Sequence, residues 1–443
     1  MQLYSTNNFE NKVSLKEAIF KGLPEDKGLF MPTNIPSLPP TFFNNLSSYS
    51  FSEIAFEVCK NLFGDLIPEQ DLRHLLEQAI SFPAPIVSLN DRLHILELFH
   101  GPSLAFKDFG ARFMSQIMSY FNKEEETKLV ILVATSGDTG GAVASGFYKT
   151  PGIEVVILYP SGKVSLLQEK QLTTLGHNIS ALEIDGTFDD CQALVKQAFL
   201  DQDLNKQLRL SSANSINIAR LIPQSFYYFE AFKQLNDPSA SVVFSIPSGN
   251  FGNLTAGLLA KKMGLPVHKF LAATNKNDIV PSYLDSGIFT PKTSVATLSN
   301  AMDVGNPSNF VRMKDLYSKE SLSLNAESHT CDALNKDISG FSFDDESTKV
   351  AMREVFERYN YTIDPHGAVG YLALQKYLEN NAGHHGIVLE TAHPAKFIDD
   401  VEKILNKKVQ IPKRLASLAN KEKEAVSMST SFALFKSWLL QKY

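Results

Sequence analysis

Leu129-Val130-Ile131-Leu132-Val133-Ala134 is an unbroken apolar run that leads directly into the glycine-rich stretch Thr135-Ser136-Gly137-Asp138-Thr139-Gly140-Gly141. A short apolar run bounded by glycine is typical of a strand that is buried on both faces. Four later runs show the same pattern, each ahead of Gly, Pro, Ser or Asn and a helix-like segment: 153–159, 179–184, 242–246 and 267–273. Repeated strand-helix units of this kind predict an α/β fold built on parallel sheets.

Two glycine-rich loops fall where ligands bind in such a fold, at the carboxyl ends of strands. The first is the stretch that begins at Thr135, and the second is Pro247-Ser248-Gly249-Asn250-Phe251-Gly252-Asn253. Hydroxyls and free backbone N–H groups at a strand end and helix start form an anion site, and glycine permits a close approach. For either loop alone, a tight turn that uses glycine for positive φ is an equally good interpretation.

One lysine, Lys107, stands between the aromatic residues Phe106 and Phe109. Desolvation beside aromatic rings favours the neutral amine, which is the state that a Schiff-base nucleophile needs. The alternative interpretation is a lysine that extends along an apolar surface into water. An amine nucleophile accompanied by two anion sites suggests a phosphorylated aldehyde as cofactor.

Composition and charge exclude several classes of protein. The chain has 443 residues, of which 44% are hydrophobic and 20% charged, enough for two or three domains. The net charge of -6 argues against nucleic acid as a partner. Residues 1–19 lack the apolar core of a signal peptide, and three widely spaced cysteines, Cys59, Cys191 and Cys331, fit a reducing compartment as buried small side chains. A cytoplasmic protein without a membrane partner is therefore expected.

Nucleotide and metal motifs are not matched. Gly162-Lys163 is followed by Val164, where a phosphate-binding P-loop needs Ser or Thr, and neither glycine-rich loop contains G-x-G-x-x-G. His384-His385 has no carboxylate or cysteine at ligand spacing, so a solvated turn is predicted there and no metal site.

Seven motifs, spread through nearly the whole chain, resemble those of the threonine synthases, a family of fold-type II pyridoxal-phosphate enzymes, in its longer bacterial and fungal branch. The motifs are Gly28-Leu29-Phe30, Leu96-Glu97-Leu98-Phe99, Ala134 to Gly140, Asn214-Ser215-Ile216-Asn217 through Arg220, Ser248 to Gly257, Asn300-Ala301-Met302-Asp303-Val304 and Thr391-Ala392-His393-Pro394-Ala395-Lys396-Phe397.

The resemblance implies an α/β fold of the tryptophan synthase β-like kind, with two parallel-sheet α/β domains and a mostly helical N-terminal extension. The predicted borders are 1–95 for the extension, 96–230 for the smaller domain and 231–443 for the larger domain with its C-terminal helices. Within the extension, Ser14 followed by Glu17 has the pattern of a capping box that starts a helix. A monomer is slightly favoured over a homodimer.

The resemblance also implies roles for individual residues. Lys107 would carry pyridoxal 5'-phosphate as a Schiff base. The other residues expected at the cofactor are Asp138, Gly249, Asn250, Phe251, Gly252, Asn253 and Thr391. Those expected at the substrate are Thr135, Ser136, Asp138 and Thr139 for its carboxylate, and Asn214, Ser215 and Arg220 for its phosphate.

Three of these assignments have alternatives. Asp138 stands where many relatives have Asn, and an ionised carboxylate accepts hydrogen bonds but donates none. Thr391, implied to face the pyridine nitrogen, is equally well explained as a strand-end cap. Asn214 or Ser215 would, without the resemblance, be interpreted as the N-cap of a helix that carries a surface arginine.

The implied activity is that of a lyase that converts O-phospho-L-homoserine and water to L-threonine and phosphate by γ-elimination and β-hydration, the last step of threonine biosynthesis. The alternatives are a threonine-synthase-like phospho-lyase or amino-acid dehydratase, and a non-catalytic ligand-binding homologue. A protein-interaction module at residues 430–443 is a further alternative, but the apolar stripe of that segment is better explained by packing in the core.

Overall fold

The computed structural model describes residues 1–235, 237, 240–318 and 326–443. The strands are β1 (Gln2–Ser5), β2 (Asn8–Ser14), β3 (Phe30–Pro32), β4 (Ile86–Ser88), β5 (Leu93–Glu97), β6 (Leu129–Ala134), β7 (Ile153–Pro160), β8 (Ile179–Ile184), β9 (Arg209–Ser212), β10 (Val242–Pro247), β11 (Val267–Thr274), β12 (Ile338–Ser342), β13 (His385–Glu390) and β14 (Val426–Met428). The α-helices are α1 (Leu15–Lys21), α2 (Pro40–Asn45), α3 (Phe51–Phe63), α4 (Glu69–Ala79), α5 (Lys107–Asn122), α6 (Asp138–Phe147), α7 (Leu166–Thr173), α8 (Phe188–Leu200), α9 (Gln202–Gln207), α10 (Ile218–Leu221), α11 (Phe226–Gln234), α12 (Gly252–Lys262), α13 (Ile279–Ser286), α14 (Phe310–Ser318), α15 (Ala326–Asp337), α16 (Asp345–Tyr359), α17 (Pro365–Glu379), α18 (Ile398–Leu405), α19 (Lys413–Ala419) and α20 (Phe432–Lys442).

Two parallel sheets form the body of the molecule. The smaller sheet has the strand order β14-β8-β7-β6-β9 and is parallel throughout. The larger sheet has the order β12-β11-β10-β13-β5-β4, in which only β4 runs antiparallel to its neighbour. All five strands predicted from apolar runs are present as β6, β7, β8, β10 and β11, so the predicted α/β fold with parallel sheets is confirmed.

Strand β6 shows why a continuous apolar run suits this position. Leu129, Ile131 and Val133 join one hydrophobic cluster, and Val130 and Leu132 join another on the opposite face of the sheet. Side chains alternate along a strand, so a strand covered on both faces has no place for a polar residue. The larger sheet is covered in the same way, with a separate cluster on one of its faces.

The N-terminal extension is mostly helical, as predicted, but it also contains a small antiparallel sheet that the sequence did not indicate. Strands β1, β2 and β3 pair in the order β2-β1-β3. The predicted helix start is present, since the Ser14 hydroxyl accepts a hydrogen bond from the Glu17 backbone N–H at 3.2 Å and α1 begins at the next residue.

The predicted domain borders remain predictions, and two strands pair across them. Strand β5 spans the border at 95 and belongs to the larger sheet, whereas β14, near the C-terminus, completes the smaller sheet. Helix α20 follows β14 and packs Phe435 and Leu439, both fully buried, into the cluster beneath the smaller sheet. Core packing is therefore the right interpretation of the apolar tail.

Two minor predictions can be compared with the structure. Cys59, Cys191 and Cys331 are free and buried, as expected. The prediction of a solvated turn at His384-His385 is wrong: His385 begins β13, and the His384 ring stacks on His268 with centroids 4.1 Å apart. Within the described ranges, no three or more His, Cys, Asp or Glu side chains are grouped to hold a metal ion, and no helix has the length and apolarity to cross a membrane.

Candidate active site

Lys107 is the first residue of α5, and a short pairing of loops holds it at the end of a larger-sheet strand. The Phe106 N–H donates to the Thr391 carbonyl oxygen at 2.9 Å, and the His393 N–H donates to the Leu104 carbonyl oxygen at 3.0 Å. Because residues 391–393 directly follow β13, this pairing places Lys107 beside the carboxyl end of that strand.

The amine of Lys107 lies in a desolvated and charged environment. Burial lowers the pKa of Lys107, the negative charge of Asp138 opposes that change, and the positive charges of Lys396 and Arg220 lower the pKa further. These three residues come from separate elements, so the fold brings together groups that are far apart in sequence. A lysine with a lowered pKa is more easily held as the neutral nucleophile.

Only one of the two predicted aromatic neighbours faces the amine. The Nζ atom of Lys107 lies 5.9 Å from the centroid of the Phe106 ring. The Phe109 ring packs instead against Phe82 and Tyr227, at centroid distances of 4.7 and 5.5 Å. The placement of Phe109 beside the amine is therefore wrong, because a helix turns about 100° per residue and two residues carry a side chain to the opposite face.

The first glycine-rich loop, residues 135–141, is closed by its own side chains. The Thr135 hydroxyl accepts hydrogen bonds from the backbone N–H groups of Gly137 at 3.0 Å and Gly140 at 2.9 Å. Gly137 has φ of 139°, which an L-residue rarely adopts. Among the other predicted substrate residues, Ser136 is exposed and Thr139 is partly exposed.

A buried ion pair fixes the start of α6 in this loop. The Lys396 ammonium lies 2.6 Å from Oδ1 of Asp138 and donates to the Ser103 carbonyl oxygen at 2.9 Å. Gln168 also donates to Asp138, at 3.0 Å. Burial alone would raise the pKa of Asp138, but the charges of Lys396 and Lys107 hold that pKa below its usual range. Asp138 is therefore ionised and can only accept hydrogen bonds.

Lys396 is a site residue to which the sequence reasoning gave no role. Its side chain is almost completely buried, which is rare for lysine unless it has a partner. A signal was present: Lys396 stands between Ala395 and Phe397 in the motif that begins at Thr391, just as Lys107 stands next to Phe106. The same desolvation argument would have singled out both lysines.

The second glycine-rich loop is braced by Asn253. Its Oδ1 accepts from the Ser248 hydroxyl and from the Leu254 N–H, and its Nδ2 donates to the Pro247 carbonyl oxygen at 2.9 Å. Both amide atoms of Asn253 are thus engaged inside the loop. Phe251 has φ of 58°, in the left-handed region, which turns the chain into α12.

The two loop glycines that were predicted at the cofactor have different surroundings. A Cβ on Gly249 would lie 2.8 Å from Met302 Cα and 2.9 Å from the Ala301 carbonyl oxygen, so this glycine is needed for backbone packing. A Cβ on Gly252 would meet nothing closer than 3.4 Å, and the nearest atoms are two amide nitrogens, Nδ2 of Asn309 and Nε2 of Gln224. The space at Gly252 is lined by hydrogen-bond donors at a helix start, which suits an anion.

The predicted substrate-phosphate residues lie on the segment that enters α10. Arg220 is buried: its NH1 donates to the Ala213 carbonyl oxygen at 2.6 Å, and its Nε has no partner among the described residues. Burial lowers the pKa of Arg220 to about 10, so it stays charged at neutral pH. The cap of α10 is Asn217, whose side chain accepts from the Ala219 N–H, and a capping role for Asn214 or Ser215 is therefore wrong.

Thr391 is buried in the turn after β13. Its carbonyl oxygen accepts from Phe106, as described above, but its hydroxyl makes no hydrogen bond to the part of the chain that the structure describes. The alternative role of strand-end cap therefore has no bond to support it.

Comparisons with known proteins identify the family of the chain. Three family models match: "Threonine synthase N terminus" over residues 2–80, "Pyridoxal-phosphate dependent enzyme" over 82–389, and "Threonine synthase, C-terminal" over 367–438. The chain is 46% identical to the threonine synthase of Serratia marcescens and 45% identical to that of Escherichia coli, each over 99% of both proteins.

Solved structures show the same similarity. The crystal structure of the Escherichia coli threonine synthase superimposes with a TM-score of 0.90 and covers 100% of both chains. That of the threonine synthase of Brucella melitensis with pyridoxal phosphate bound, 32% identical, superimposes with a TM-score of 0.94 and covers 100% of this chain and 99% of the other. The chain belongs to the threonine synthase family of pyridoxal-phosphate-dependent enzymes.

Proposed function

We propose that the chain converts O-phospho-L-homoserine and water to L-threonine and phosphate. The observation that carries the proposal is a single site that combines a desolvated lysine, Lys107, with a buried arginine, Arg220, and a donor-lined space at Gly252. This set matches a reaction in which both the cofactor and the substrate carry a phosphate. A dehydratase that acts on threonine or serine has no substrate phosphate to bind.

The residues present fit pyridoxal phosphate. The space at Gly252, which a Cβ would partly fill, is lined by amide donors at the start of α12, and Lys107 is the amine that would hold the aldehyde. We infer that Gly249, Asn250 and Phe251 shape the phosphate loop and that Asn253 braces it. When bound, the conjugated ring of the cofactor supplies stabilisation of negative charge at the substrate's α-carbon.

Lys107 would move the protons of the reaction. Its lowered pKa, caused first by burial, leaves a larger fraction of the amine neutral near pH 7 than an exposed lysine has. A neutral amine accepts a proton from the substrate's α-carbon and delivers protons to other carbons of the same chain. Lys396 and Arg220 preserve this state, since their positive charges disfavour a permanent ammonium at Lys107.

Arg220 would bind the substrate phosphate, with Asn214 and Ser215 as neutral donors. The side chains of Asn214 and Ser215 are partly exposed and form no hydrogen bond within the described ranges, so their donors are available. A guanidinium offers a rigid fork that fits a phosphate, and a buried one binds it more strongly than an exposed one. Phosphate is also the leaving group, so Arg220 stabilises the charge that develops as it departs.

Thr135, Ser136 and Thr139 would receive the substrate carboxylate, with backbone N–H groups at the start of α6. Ionised Asp138 cannot donate to that carboxylate, and we assign it the role of holding Lys396 and the loop in place. Thr391 would face the pyridine nitrogen of the cofactor, since its hydroxyl is unused and it adjoins Lys107.

The decisive experiment is a phosphate-release assay with O-phospho-L-homoserine, with threonine measured as the product. Equal amounts of phosphate and threonine are expected. The same protein should be assayed with threonine and serine for ammonia release, which an amino-acid dehydratase would give. Phosphate release without threonine would contradict the proposal and favour a phospho-lyase, and no turnover of any of these compounds would favour a ligand-binding protein.

We also propose that the protein acts in the cytoplasm as a monomer. Three free, buried cysteines are consistent with a reducing compartment. Sedimentation velocity at several protein concentrations would test the oligomeric state, and a species of twice the chain mass would contradict it.

A further inference from the structure

Asn309 contacts both phosphate-related segments, although no motif reasoning assigned it a role. It is fully buried and directly precedes α14. Its backbone N–H donates to the Asn250 carbonyl oxygen in the second glycine-rich loop at 3.2 Å. Its side-chain Nδ2 reaches the Ser215 carbonyl oxygen at 3.4 Å. One residue therefore joins the cofactor-phosphate loop to the substrate-phosphate segment.

The orientation of the Asn309 amide is fixed by Arg312. Arg312 is fully buried, and its NH1 donates to Oδ1 of Asn309 at 2.7 Å. The same guanidinium donates to the carbonyl oxygens of Phe30 and Ile216, at 3.0 and 2.7 Å. Because a guanidinium only donates, the oxygen of Asn309 must face Arg312 and its nitrogen must face the two loops.

That nitrogen has donor capacity to spare. Nδ2 carries two hydrogens, and its contact with Ser215 is at the long limit for a hydrogen bond. The same atom is 3.4 Å from the position of a Cβ on Gly252, so it lines the space at the start of α12. Nε2 of Gln224 lines this space too, at 3.8 Å, while it donates to the Arg220 carbonyl oxygen at 2.6 Å.

We propose that Asn309 binds a phosphate monoester between the two loops, and that Arg312 is the positioning residue that aims its amide. The chemistry of the ligand is common to two sources, the cofactor and the substrate, and the position of Nδ2 between Gly252 and Ser215 suits either. The part of the proposal that concerns the substrate rests on the proposed function, whereas the cofactor part does not.

Asn309→Asp is the test variant. Aspartate has the same shape and keeps an oxygen toward Arg312, with which it would form an ion pair. This ion pair offsets the loss of the hydrogen bond to the Ser215 carbonyl oxygen, so the melting temperature should stay close to that of the parent. It replaces the N–H donor by a carboxylate oxygen, which repels phosphate. We expect the affinity for one phosphate ligand to fall about tenfold to a hundredfold, the range for loss of a charge-assisted hydrogen bond.

Two measurements identify the source. Retention of pyridoxal phosphate by the holoenzyme during dialysis, followed by its absorbance, reports the cofactor phosphate, and pyridoxal, which has no phosphate, serves as the insensitive comparison ligand. The affinity of the holoenzyme for inorganic phosphate, together with KM for O-phospho-L-homoserine, reports binding of the substrate phosphate. Weakening in either measurement supports the proposal and assigns the phosphate that Asn309 binds.

Asn335→Asp is the matched control. It makes the same substitution on α15, where the amide donates to the Leu284 carbonyl oxygen, and it should leave both measurements at the parent value. If Asn309→Asp does not fold, Asn309→Ala replaces it, with a loss of about threefold or more expected because only the donor is removed. A folded variant at Asn309 that binds both phosphates as the parent does would overturn the proposal.

The role of Arg312 is tested by Arg312→Lys alone and combined with Asn309→Ala, which removes the amide without adding a charge beside Arg312. If Arg312 acts through Asn309, the two effects on phosphate affinity will not add. A purely structural arginine would lower the melting temperature without changing phosphate affinity, and that result would remove Arg312 from the proposal. A parent protein that binds phosphate but does not turn over O-phospho-L-homoserine would contradict the proposed function and leave the cofactor measurement valid.

Discussion

Thr135 and Ser248 each directly follow a buried parallel strand, but the loops that they begin hold their polar groups in different ways. In the first loop the Thr135 hydroxyl accepts two backbone N–H groups, and Asp138 is neutralised by Lys396. In the second loop the amide of Asn253 braces the turn and leaves a donor-lined space at Gly252.

The comparison shows that two glycine-rich loops at equivalent strand ends differ in the side chains that other elements place against them. In the first loop the Lys396 ammonium pairs with the Asp138 carboxylate, whereas in the second loop two amide nitrogens, from Asn309 and Gln224, line the space at Gly252. The following predictions test this difference.

The largest effect is expected for Lys107→Ala, which removes the amine that we propose holds the cofactor. Turnover should fall by about a thousandfold or more, since the general base and the point of cofactor attachment are lost together. Phosphate release measures the loss. Borohydride reduction followed by peptide mapping should label Lys107 in the parent and no lysine in the variant. A variant with full turnover would exclude the proposed mechanism.

Asp138→Asn should open the first loop, because it leaves the Lys396 ammonium buried without a carboxylate. Removing one partner of a buried ion pair lowers the free energy of unfolding by about 3 kcal/mol or more. Urea denaturation provides the measurement. The control is Asp203→Asn, which loses a largely exposed contact with Lys436 and should cost less than about 1 kcal/mol. Equal effects at the two sites would show that the first loop is not held by its ion pair.

Arg220→Ala should act on the substrate and leave the cofactor in place. A drop in kcat/KM for O-phospho-L-homoserine of roughly ten- to a hundredfold is expected from the loss of a charged donor. Arg220→Lys should retain only part of the parent kcat/KM, because an ammonium keeps the charge but lacks the paired donors of a guanidinium. If the variant loses bound cofactor but keeps the parent kcat/KM per bound cofactor, Arg220 belongs to the cofactor site or to the scaffold.

Substitutions of the two glycines of the second loop should have different effects, one on cofactor binding and the other on stability. Gly252→Val should lower cofactor occupancy with little change in the melting temperature of the cofactor-free protein, because a Cβ at this position meets no atom closer than 3.4 Å. Gly249→Ala should lower that melting temperature by the equivalent of about 1 to 3 kcal/mol, since its Cβ meets backbone atoms. Tight cofactor binding by Gly252→Val would mean that the loop is only a turn.

The smallest effect concerns Asp108, in the first turn of α5, whose Oδ2 accepts from the Ser103 N–H. Burial raises the pKa of Asp108 to about 6, so between about pH 4 and 6 the folded state binds more protons than the unfolded state. Stability therefore falls as pH rises through this range and stays lower above it. Asp108→Asn keeps the acceptor and removes the charge.

The free energy of unfolding of Asp108→Asn should exceed that of the parent by about 1 to 2 kcal/mol at pH 7.5. The gain should vanish at pH 4, where the parent carboxyl is protonated. Urea denaturation at the two pH values is the measurement. A gain of the same size at both would show that the charge of Asp108 is not its cause.

The parallel sheets and the lysine site were predictable because their signals are local. Each strand is a contiguous apolar run, and Lys107 and both loops are marked by residues within a few positions of one another. The small N-terminal sheet was missed because β2 alternates poorly, with polar residues at most of its positions. Its pairing with β1 depends on partners that no short window contains.

The long-range parts of the site could not be obtained in this way. Lys396 meets Asp138, and Arg312 meets Phe30, only after both sheets and the extension have come together. The error at Phe109 has a local cause instead, because Lys107 and Phe109 lie two residues apart on α5 and therefore face opposite sides of the helix. Local sequence motifs indicated which chemistry to expect, and tertiary contacts determined which side chains lie in the site.

Strand β14 has a consequence for how the protein is made. It pairs with β8 in the smaller sheet, yet it is synthesised after every strand of the larger sheet. During translation the edge of β8 therefore stays unpaired until almost the whole chain has left the ribosome, and an unpaired edge is a template for other chains. A nascent chain that stalls before Val426 keeps that edge exposed, so only a completed polypeptide is protected from aggregation at this edge.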